Sequence, residues 1–227
     1  MQTKYKLIDS SMVKEDPYPF VMIDDFMDAE LINNIEKEFF SRMDRNIDDR
    51  MFGRRRIMKA VYESNPIKYG QSLNNFMDIV RSDEFMMNMI NPFKQHVLNY
   101  LGIEDNNFDL EKLCKEDYYL DYDISIGEDG YSREVHRDTN GRLIVFLFSF
   151  NDSKHDGGEI CLYRAKEGCN KAQQYPTNVE KAVMVKHRKN RALMFLSNDV
   201  SYHSVNEITN CEIPRKFIYA AITRKRR

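Results

Sequence analysis

The spacing of apolar positions divides the chain into a helical first half and a β-rich second half. In the first half, the apolar run PFVMIDDFM is typical of a strand, and three later segments repeat apolar residues every three or four positions. Asp28 is suited to cap the first helix, Pro66 to open the second, and Asp83 to open the third, which Gly102 ends. The apolar face of the first helix would be Leu31, Ile32, Ile35, Phe39 and Met43. We expect residues 1–116 to form a strand and helical support.

From Tyr118 onward, short runs of aromatic and β-branched residues are separated by Gly, Asn, Asp and Lys. This pattern predicts an antiparallel sandwich or barrel over residues 117–227. A chain of 227 residues is long enough for one sizeable domain with a helical flank, so we expect a single domain over 1–227. The fold class is therefore α+β, mainly β, with N-terminal helices beside a β core.

Composition and charge exclude some classes of protein. The net charge is −2, no apolar run approaches the roughly twenty residues of a membrane span, and the N-terminus lacks the order of a signal peptide. We expect a soluble, cytoplasmic protein with no membrane partner. The four cysteines form no CxxC pair, which favours reduced thiols over a zinc site.

Two basic clusters, Arg54–Arg56 and residues 224–227, are read first as solvated surface charge. The alternative for the first cluster is recognition of an anionic or peptide substrate. Because the whole chain is slightly acidic, a general nucleic-acid partner is not expected. Surface or capping roles are expected for three further histidines, His96, His155 and His187.

The candidate chemistry lies in three residues of the β-rich half. His136 and Asp138 are two apart, so in an extended backbone both side chains leave the same face. His203 lies in another short strand, SYHSV. Two imidazoles and one carboxylate form the facial triad of non-haem iron(II), which leaves positions open for a bidentate co-substrate and dioxygen. An H-x-D pair is a weak signal alone, and the distal residues strengthen it.

Arg215 follows His203 by twelve residues and begins the apolar run RKFIYAAIT. If this strand runs beside the His203 strand, the guanidinium can form a paired salt bridge with the far carboxylate of a dicarboxylic acid bound to the metal. Lys216 is the rival anchor, but in a strand it should point away from the side on which Arg215 lies.

The order HRD, RLIVFLFSFND, DGGEICLY, RALMFLSNDVSYHSVNEI and PRKFIYAAI resembles the prolyl 4-hydroxylase-like branch of the 2-oxoglutarate and iron(II)-dependent dioxygenases, over roughly the last half of the chain. The resemblance implies a double-stranded β-helix, which is a jelly-roll or cupin-like core. It also implies Fe(II) bound by His136, Asp138 and His203, with 2-oxoglutarate held by Arg215, dioxygen as the oxidant and ascorbate as the reductant. Halogenating relatives replace the carboxylate of the triad, so Asp138 favours hydroxylation.

The chain departs from the family pattern at the co-substrate contacts. Ile126 stands where many relatives have a tyrosine about ten residues before the first histidine, and Ser149 occupies the position of another relative's tyrosine. Ser149 could still donate a hydrogen bond, and Tyr122 and Tyr219 are candidate substitutes for the missing tyrosine. Phe217 stands where a small hydroxyl residue often follows the arginine.

These features predict an enzyme that hydroxylates a C–H bond and releases succinate and carbon dioxide. The first candidate substrate is a protein side chain, with a prolyl residue foremost, and the second is an amino-acid-like small molecule. One alternative is a cupin-type isomerase or ligand-binding barrel that holds zinc or manganese through the same histidines. Another is a non-catalytic interaction module, which would bind no metal.

Overall fold

A computed structural model of the chain describes residues 4–40, 50–51, 53–139 and 141–225, with the backbone alone at 50 and 51. Met43 and the last two residues of the C-terminal basic cluster lie outside the described residues. The strands are β1 (Phe20–Ile23), β2 (Arg50–Met51), β3 (Arg54–Met58), β4 (Tyr118–Gly127), β5 (Arg133–His136), β6 (Arg142–Ser149), β7 (Lys154–Asp156), β8 (Ile160–Ala165), β9 (Val179–Val185), β10 (Ala192–Leu196), β11 (Tyr202–Val205), β12 (Thr209–Ile213) and β13 (Arg215–Arg224).

These strands form two main antiparallel sheets. The larger sheet has the order β1-β10-β6-β13-β4-β3-β2 and the smaller has the order β5-β11-β8-β9, while β12 pairs with β7. Apolar side chains from both sheets, such as Val145 and Phe195 from the larger and Ile160 and Leu162 from the smaller, belong to one buried cluster. The two sheets therefore pack face to face, as expected for the predicted double-stranded β-helix.

The opposite face of the larger sheet packs against the helices. Ile124, Ile126 and Phe146 from this face lie in the main hydrophobic cluster with residues such as Phe76 and Phe85 of the helical layer. Because side chains alternate along a strand, the residues between them point into the space between the two sheets. This alternation determines which strand residues can reach a site inside the β-helix.

The helices are α1 (Ala29–Ile35), α2 (Lys59–Ser64), α3 (Gln71–Val80), α4 (Asp83–Ile90), α5 (Lys94–Leu101) and α6 (Leu110–Lys112). Asp28 caps α1 as predicted, since its carboxylate accepts a hydrogen bond from the Leu31 N–H at 2.9 Å. π-Helical turns follow at Glu36–Phe40 and Leu113–Asp117. No helix of the described residues is long and apolar enough to cross a membrane.

Two of the predicted helices are interrupted. Pro66 opens a 3₁₀ turn, Pro66–Tyr69, and α3 begins only at Gln71. The helix expected from Asp83 to Leu101 is divided at the 3₁₀ turn Asn91–Phe93, because Pro92 has no N–H to donate to the preceding turn. Gly102 ends α5 in the left-handed conformation, as predicted.

The N-terminal half also contributes strands to the larger sheet. β1 pairs with β10, and β3 pairs with β4, with Arg54 opposite Gly127 and Arg56 opposite Ser125. The basic cluster is therefore part of the sheet wall, where alternate arginines point to opposite faces.

Candidate metal centre

The structure brings the three predicted ligands together. His136 ends β5 and lies directly opposite His203 of β11, while Asp138 follows in the loop after β5. The carboxylate of Asp138 lies 3.7 Å from His136 Nε2 through Oδ1 and 3.8 Å from His203 Nε2 through Oδ2. All three side chains are buried, and one possible ligand atom of each lies within 4.8 Å of the others. The cluster has the size required to surround one ion.

Backbone contacts orient both imidazoles toward this cluster. His136 Nδ1 lies 2.8 Å from the carbonyl oxygen of Glu134, and His203 Nδ1 lies 3.0 Å from that of Ser201. A carbonyl oxygen can only accept, so each Nδ1 carries the hydrogen and each Nε2 presents its lone pair. The ring of Phe195, a buried residue of β10, packs against His203 with centroids 4.9 Å apart.

Two further side chains hold Asp138. Arg142 Nη1 donates to Oδ1 at 2.8 Å, and the Tyr219 hydroxyl donates to Oδ2 at 2.7 Å. Burial alone would raise the pKa of Asp138, but the charge of Arg142 and the hydrogen bond from Tyr219, together with the neighbouring imidazoles of His136 and His203, hold it well below its ordinary value. The carboxylate is therefore ionised at neutral pH.

Burial lowers the pKa of His203 to about 4, although the Asp138 carboxylate opposes this shift. The imidazole is therefore neutral and can act as a ligand at neutral pH. One carboxylate and two neutral imidazoles are the donor set of a non-haem iron(II) site with open coordination positions. The residues fit that metal.

A cavity of about 150 Å³ opens on the cluster. One part of its wall is apolar or aromatic and consists of Tyr131, Leu147, Ile160, Val205 and Phe217. The other part is charged and consists of Arg54, Arg56, Asp123, Arg133 and Arg142. The site can thus accept a small ligand that has an apolar part and a charged part.

Arg215 lies against the apolar part of this wall. Its guanidinium is buried, lies 4.7 Å from the centroid of the Phe217 ring and 5.9 Å from that of Tyr131, and donates through Nη1 to the carbonyl oxygen of Gly158. Its Nε has no partner among the described residues. Lys216 points the other way, as predicted, and its ammonium lies over the Phe40 ring on the helical side.

Tyr122 does not line the cavity, contrary to expectation. It lies on the helical face of β4, where its hydroxyl donates to Glu63 Oε1 at 3.2 Å. Ile126 shares that face, so a tyrosine there would also point away from the metal ligands. The physical reason is the alternation of the strand, in which odd-numbered residues such as Asp123, Ser125 and Gly127 point to the other face.

Ser149 lies on the inner face of β6, opposite Phe217, but it is not part of the cavity wall. Its hydroxyl instead hydrogen-bonds His187 Nδ1 at 3.0 Å. A surface or capping role was expected for His187, but it hydrogen-bonds this inward-facing serine instead. Burial, and after it the charge of Arg215, keeps the pKa of His187 well below its ordinary value. Ser149 supports this histidine rather than lining the cavity.

Tyr131 is the aromatic residue that the sequence reasoning missed. It follows the turn at Glu128–Gly130, stacks on Phe217 with centroids 5.7 Å apart and lies over Arg215. The available signal was its place in the loop directly before the metal-binding strand β5. The residue ten positions before His136 is Ile126, whereas Tyr131 lies beyond the end of β4.

Gly157 and Gly158 form the turn that presents a carbonyl to Arg215. Both have positive φ, 72° and 75°, which glycine adopts without strain. A Cβ at Gly157 would collide with the carbonyl oxygen of Glu207. Both glycines therefore have a structural role.

A buried His-Asp-His cluster at the mouth of a double-stranded β-helix defines the class of non-haem iron oxygenases. The chain matches the model of the 2OG-Fe(II) oxygenase superfamily over residues 120–223. It is an enzyme of this type, and the family uses Fe(II), 2-oxoglutarate and dioxygen, typically with ascorbate. Comparison with curated proteins found no significant match.

Solved structures with similar folds include prolyl hydroxylases. A prolyl-4-hydroxylase from Pseudomonas putida has a TM-score of 0.55 at 15% identity, over 91% of this chain and 93% of that one. A prolyl hydroxylase from Trichoplax adhaerens, in complex with a hypoxia inducible factor peptide fragment, has 0.51 at 16% identity, over 94% and 88%. A 2OG-Fe(II) oxygenase family oxidoreductase from Burkholderia pseudomallei has 0.53 at 12% identity, over 90% and 84%. These likenesses show the prolyl hydroxylase-like fold.

Proposed function

We propose that this oxygenase hydroxylates a C–H bond of a protein side chain, with a prolyl residue foremost, or of an amino-acid-like small molecule. The observation that carries the proposal is the buried cluster of His136, Asp138 and His203, which opens on a cavity with Arg215 behind its apolar wall. The similarity of the fold to prolyl hydroxylases supports the first substrate class.

Each residue of the site has a role in this proposal. His136, Asp138 and His203 hold the metal, and Arg142 and Tyr219 fix the Asp138 carboxylate. When bound, Fe(II) and 2-oxoglutarate supply the oxidising chemistry, in which one atom of dioxygen enters succinate, the other enters the substrate hydroxyl, and carbon dioxide is released.

Arg215 is proposed to hold the far carboxylate of 2-oxoglutarate. A buried guanidinium whose Nε lacks a partner among the described residues is costly, and a ligand carboxylate offers the paired hydrogen bonds that this group prefers. The rings of Tyr131 and Phe217 pack against the Arg215 guanidinium, and this apolar surrounding strengthens any charge pair formed there.

The test is succinate formation by the purified protein with Fe(II), ascorbate and 2-oxoglutarate, without added substrate. We expect slow turnover by the wild type and none by His136→Ala, while Arg215→Ala needs far more 2-oxoglutarate. His96→Ala is the matched control, because that histidine is half-exposed and pairs with Glu15 instead.

If the wild type is silent, calorimetry with Mn(II) and 2-oxoglutarate decides between two accounts. Binding of both Mn(II) and 2-oxoglutarate would show an enzyme that turns over only when its substrate is present. Metal binding without 2-oxoglutarate would instead favour a cupin-type isomerase or ligand-binding barrel, and binding of neither would overturn the proposal.

A further inference from the structure

The loop between β8 and β9, residues 166–178, lies beside the metal cluster. It is held there by Arg137, the residue that separates two of the metal ligands in the chain. The backbone N–H of Arg137 donates to the carbonyl oxygen of Gln174 at 2.9 Å. Its guanidinium donates to two further carbonyl oxygens of the loop, at 3.2 and 3.3 Å. The loop is therefore attached to the same stretch of backbone that carries these two ligands.

Tyr175, the residue after Gln174, lies at the edge of the metal site. Its ring centroid is 6.5 Å from that of the His136 ring, and the two rings are tilted by 36°. Tyr175 does not belong to the cavity wall, and it is 47% exposed. The ring thus lies outside the cavity, next to a metal ligand, with nearly half of its surface open to solvent.

The cavity is too small to enclose a whole substrate together with the co-substrate. Its volume is about 150 Å³. Pockets that enclose a whole drug-sized ligand usually have roughly 300–1,000 Å³. The described wall therefore leaves room for the co-substrate and the reacting group, and the rest of the substrate must extend past the mouth. This favours a side chain carried by a peptide over a small molecule that is enclosed on all sides.

Tyr175 is within reach of a peptide whose side chain enters the cavity. The 6.5 Å between the rings of Tyr175 and His136 is about the length of two residues of extended chain. A peptide with its target residue at the metal would therefore place a near neighbour of that residue against the Tyr175 ring. Such a ring binds apolar side chains well, because it offers a large contact area and loses little conformational entropy.

We propose that Tyr175 binds a peptide substrate at the mouth of the metal site, with its ring packed on an apolar side chain within two residues of the hydroxylated one. This inference rests on the proposed oxygenase function and selects a peptide as its substrate class. Arg137 is a positioning residue, because it holds the loop that presents the ring. Tyr175 therefore affects which peptide binds, and leaves the binding of the metal and of 2-oxoglutarate unchanged.

The experiment compares three probes. Two are proline-centred heptapeptides with a Lys at each end for solubility and with either Leu or Ser at the four positions around the proline, and the third is L-proline. Succinate formation is measured above the rate without substrate. We expect a kcat/KM for the Leu peptide at least about tenfold above that for the Ser peptide, with L-proline weakest. Calorimetry on the protein loaded with Mn(II) and 2-oxoglutarate measures binding of the same probes without turnover.

Variants locate the effect. Tyr175→Ala should raise the Kd and the KM for the Leu peptide by about tenfold and change those for the Ser peptide little, while Tyr175→Phe should keep the preference because it keeps the ring. Met184→Ala is the matched control, since this apolar side chain is 52% exposed and lies on β9, three strands from β5. The affinity for Mn(II) and the KM for 2-oxoglutarate are measured in parallel and should not change.

Three results would overturn the inference while the oxygenase function stands. The first is equal use of the Leu and Ser peptides, and the second is no binding of either peptide while uncoupled turnover continues. The third is a loss of Mn(II) affinity in Tyr175→Ala with no change in peptide preference, which would mean that the ring only shields His136. A wild-type protein that makes no succinate and binds no 2-oxoglutarate with Mn(II) would instead refute the proposed function itself.

Discussion

Removal of the Tyr219 hydroxyl should weaken metal binding, although Tyr219 is not itself one of the metal ligands. This hydroxyl donates to Asp138 Oδ2 at 2.7 Å, the same oxygen that lies 3.8 Å from His203 Nε2. Tyr219→Phe removes one oxygen atom and, in the part of the chain that the structure describes, leaves Arg142 as the side-chain donor to the carboxylate outside the metal cluster. The carboxylate is then free to rotate away from the two imidazoles.

The expected magnitude follows from the type of bond lost. A hydrogen bond to a charged group contributes about 1.5–3 kcal/mol, and loss of a group that orients a ligand typically lowers metal affinity about 10- to 100-fold. Because the Tyr219 ring is partly buried and lies 5.2 Å from the Arg142 guanidinium, phenylalanine should keep most of the packing. We therefore expect weaker metal binding with a small change in Tm.

Calorimetric titration with Mn(II) measures this effect directly. Tyr163→Phe is the control, since its hydroxyl bonds Ser204 at 3.0 Å and it is not part of the cavity wall. If Tyr219→Phe binds Mn(II) as tightly as the wild type, Tyr219 has no role in orienting Asp138. If both variants weaken binding equally, the effect is a general loss of stability.

Three further predictions follow from the same contacts. Tyr131→Leu should raise the KM for 2-oxoglutarate by about tenfold, while Tyr122→Phe should leave it unchanged, and the reverse result would restore the sequence-based assignment. Since the pKa of His203 is about 4 when folded and about 6.5 when unfolded, the metal-free protein should lose about 2–3 kcal/mol of stability as pH falls from 6.5 to 4. Urea unfolding at several pH values checks this, and His203→Asn should flatten the slope. Gly157→Ala should destabilise the fold by more than Gly130→Ala, because both have positive φ but only a Cβ at residue 157 meets backbone; equal losses in thermal melts would refute the steric argument.

The sequence was most informative where a local pattern determines the structure. Asp28 could be assigned as a helix cap because capping depends on a few neighbouring residues, and His136 and Asp138 could be paired because strands alternate. Their convergence with His203 depended on the order of several motifs along the second half of the chain. The order of motifs can be read from the sequence even where the pairing of the strands cannot.

The errors arose where an answer depended on strand phase or on distant packing. Assigning Tyr122 to the site required knowing which face of β4 points inward, and a shift of one residue reverses that choice. The partner of Ser149 is His187, on a loop beyond β9, and no local pattern indicates that contact. Likewise, the triple arginine gave no sign that β3 joins the sheet and divides the cluster between two faces.

The position of β13 has a consequence for how the molecule is made. This strand is the last that the structure describes, yet it lies in the middle of the larger sheet, between β6 and β4. A nascent chain must therefore keep a gap between these two strands until residue 224 has left the ribosome, and the strand that fills it carries both Arg215 and Tyr219. Contacts so distant along the chain form slowly, and the unpaired edges on each side of the gap are exposed meanwhile. Early release of the chain would leave a polypeptide with all three metal-binding side chains but an open, aggregation-prone sheet.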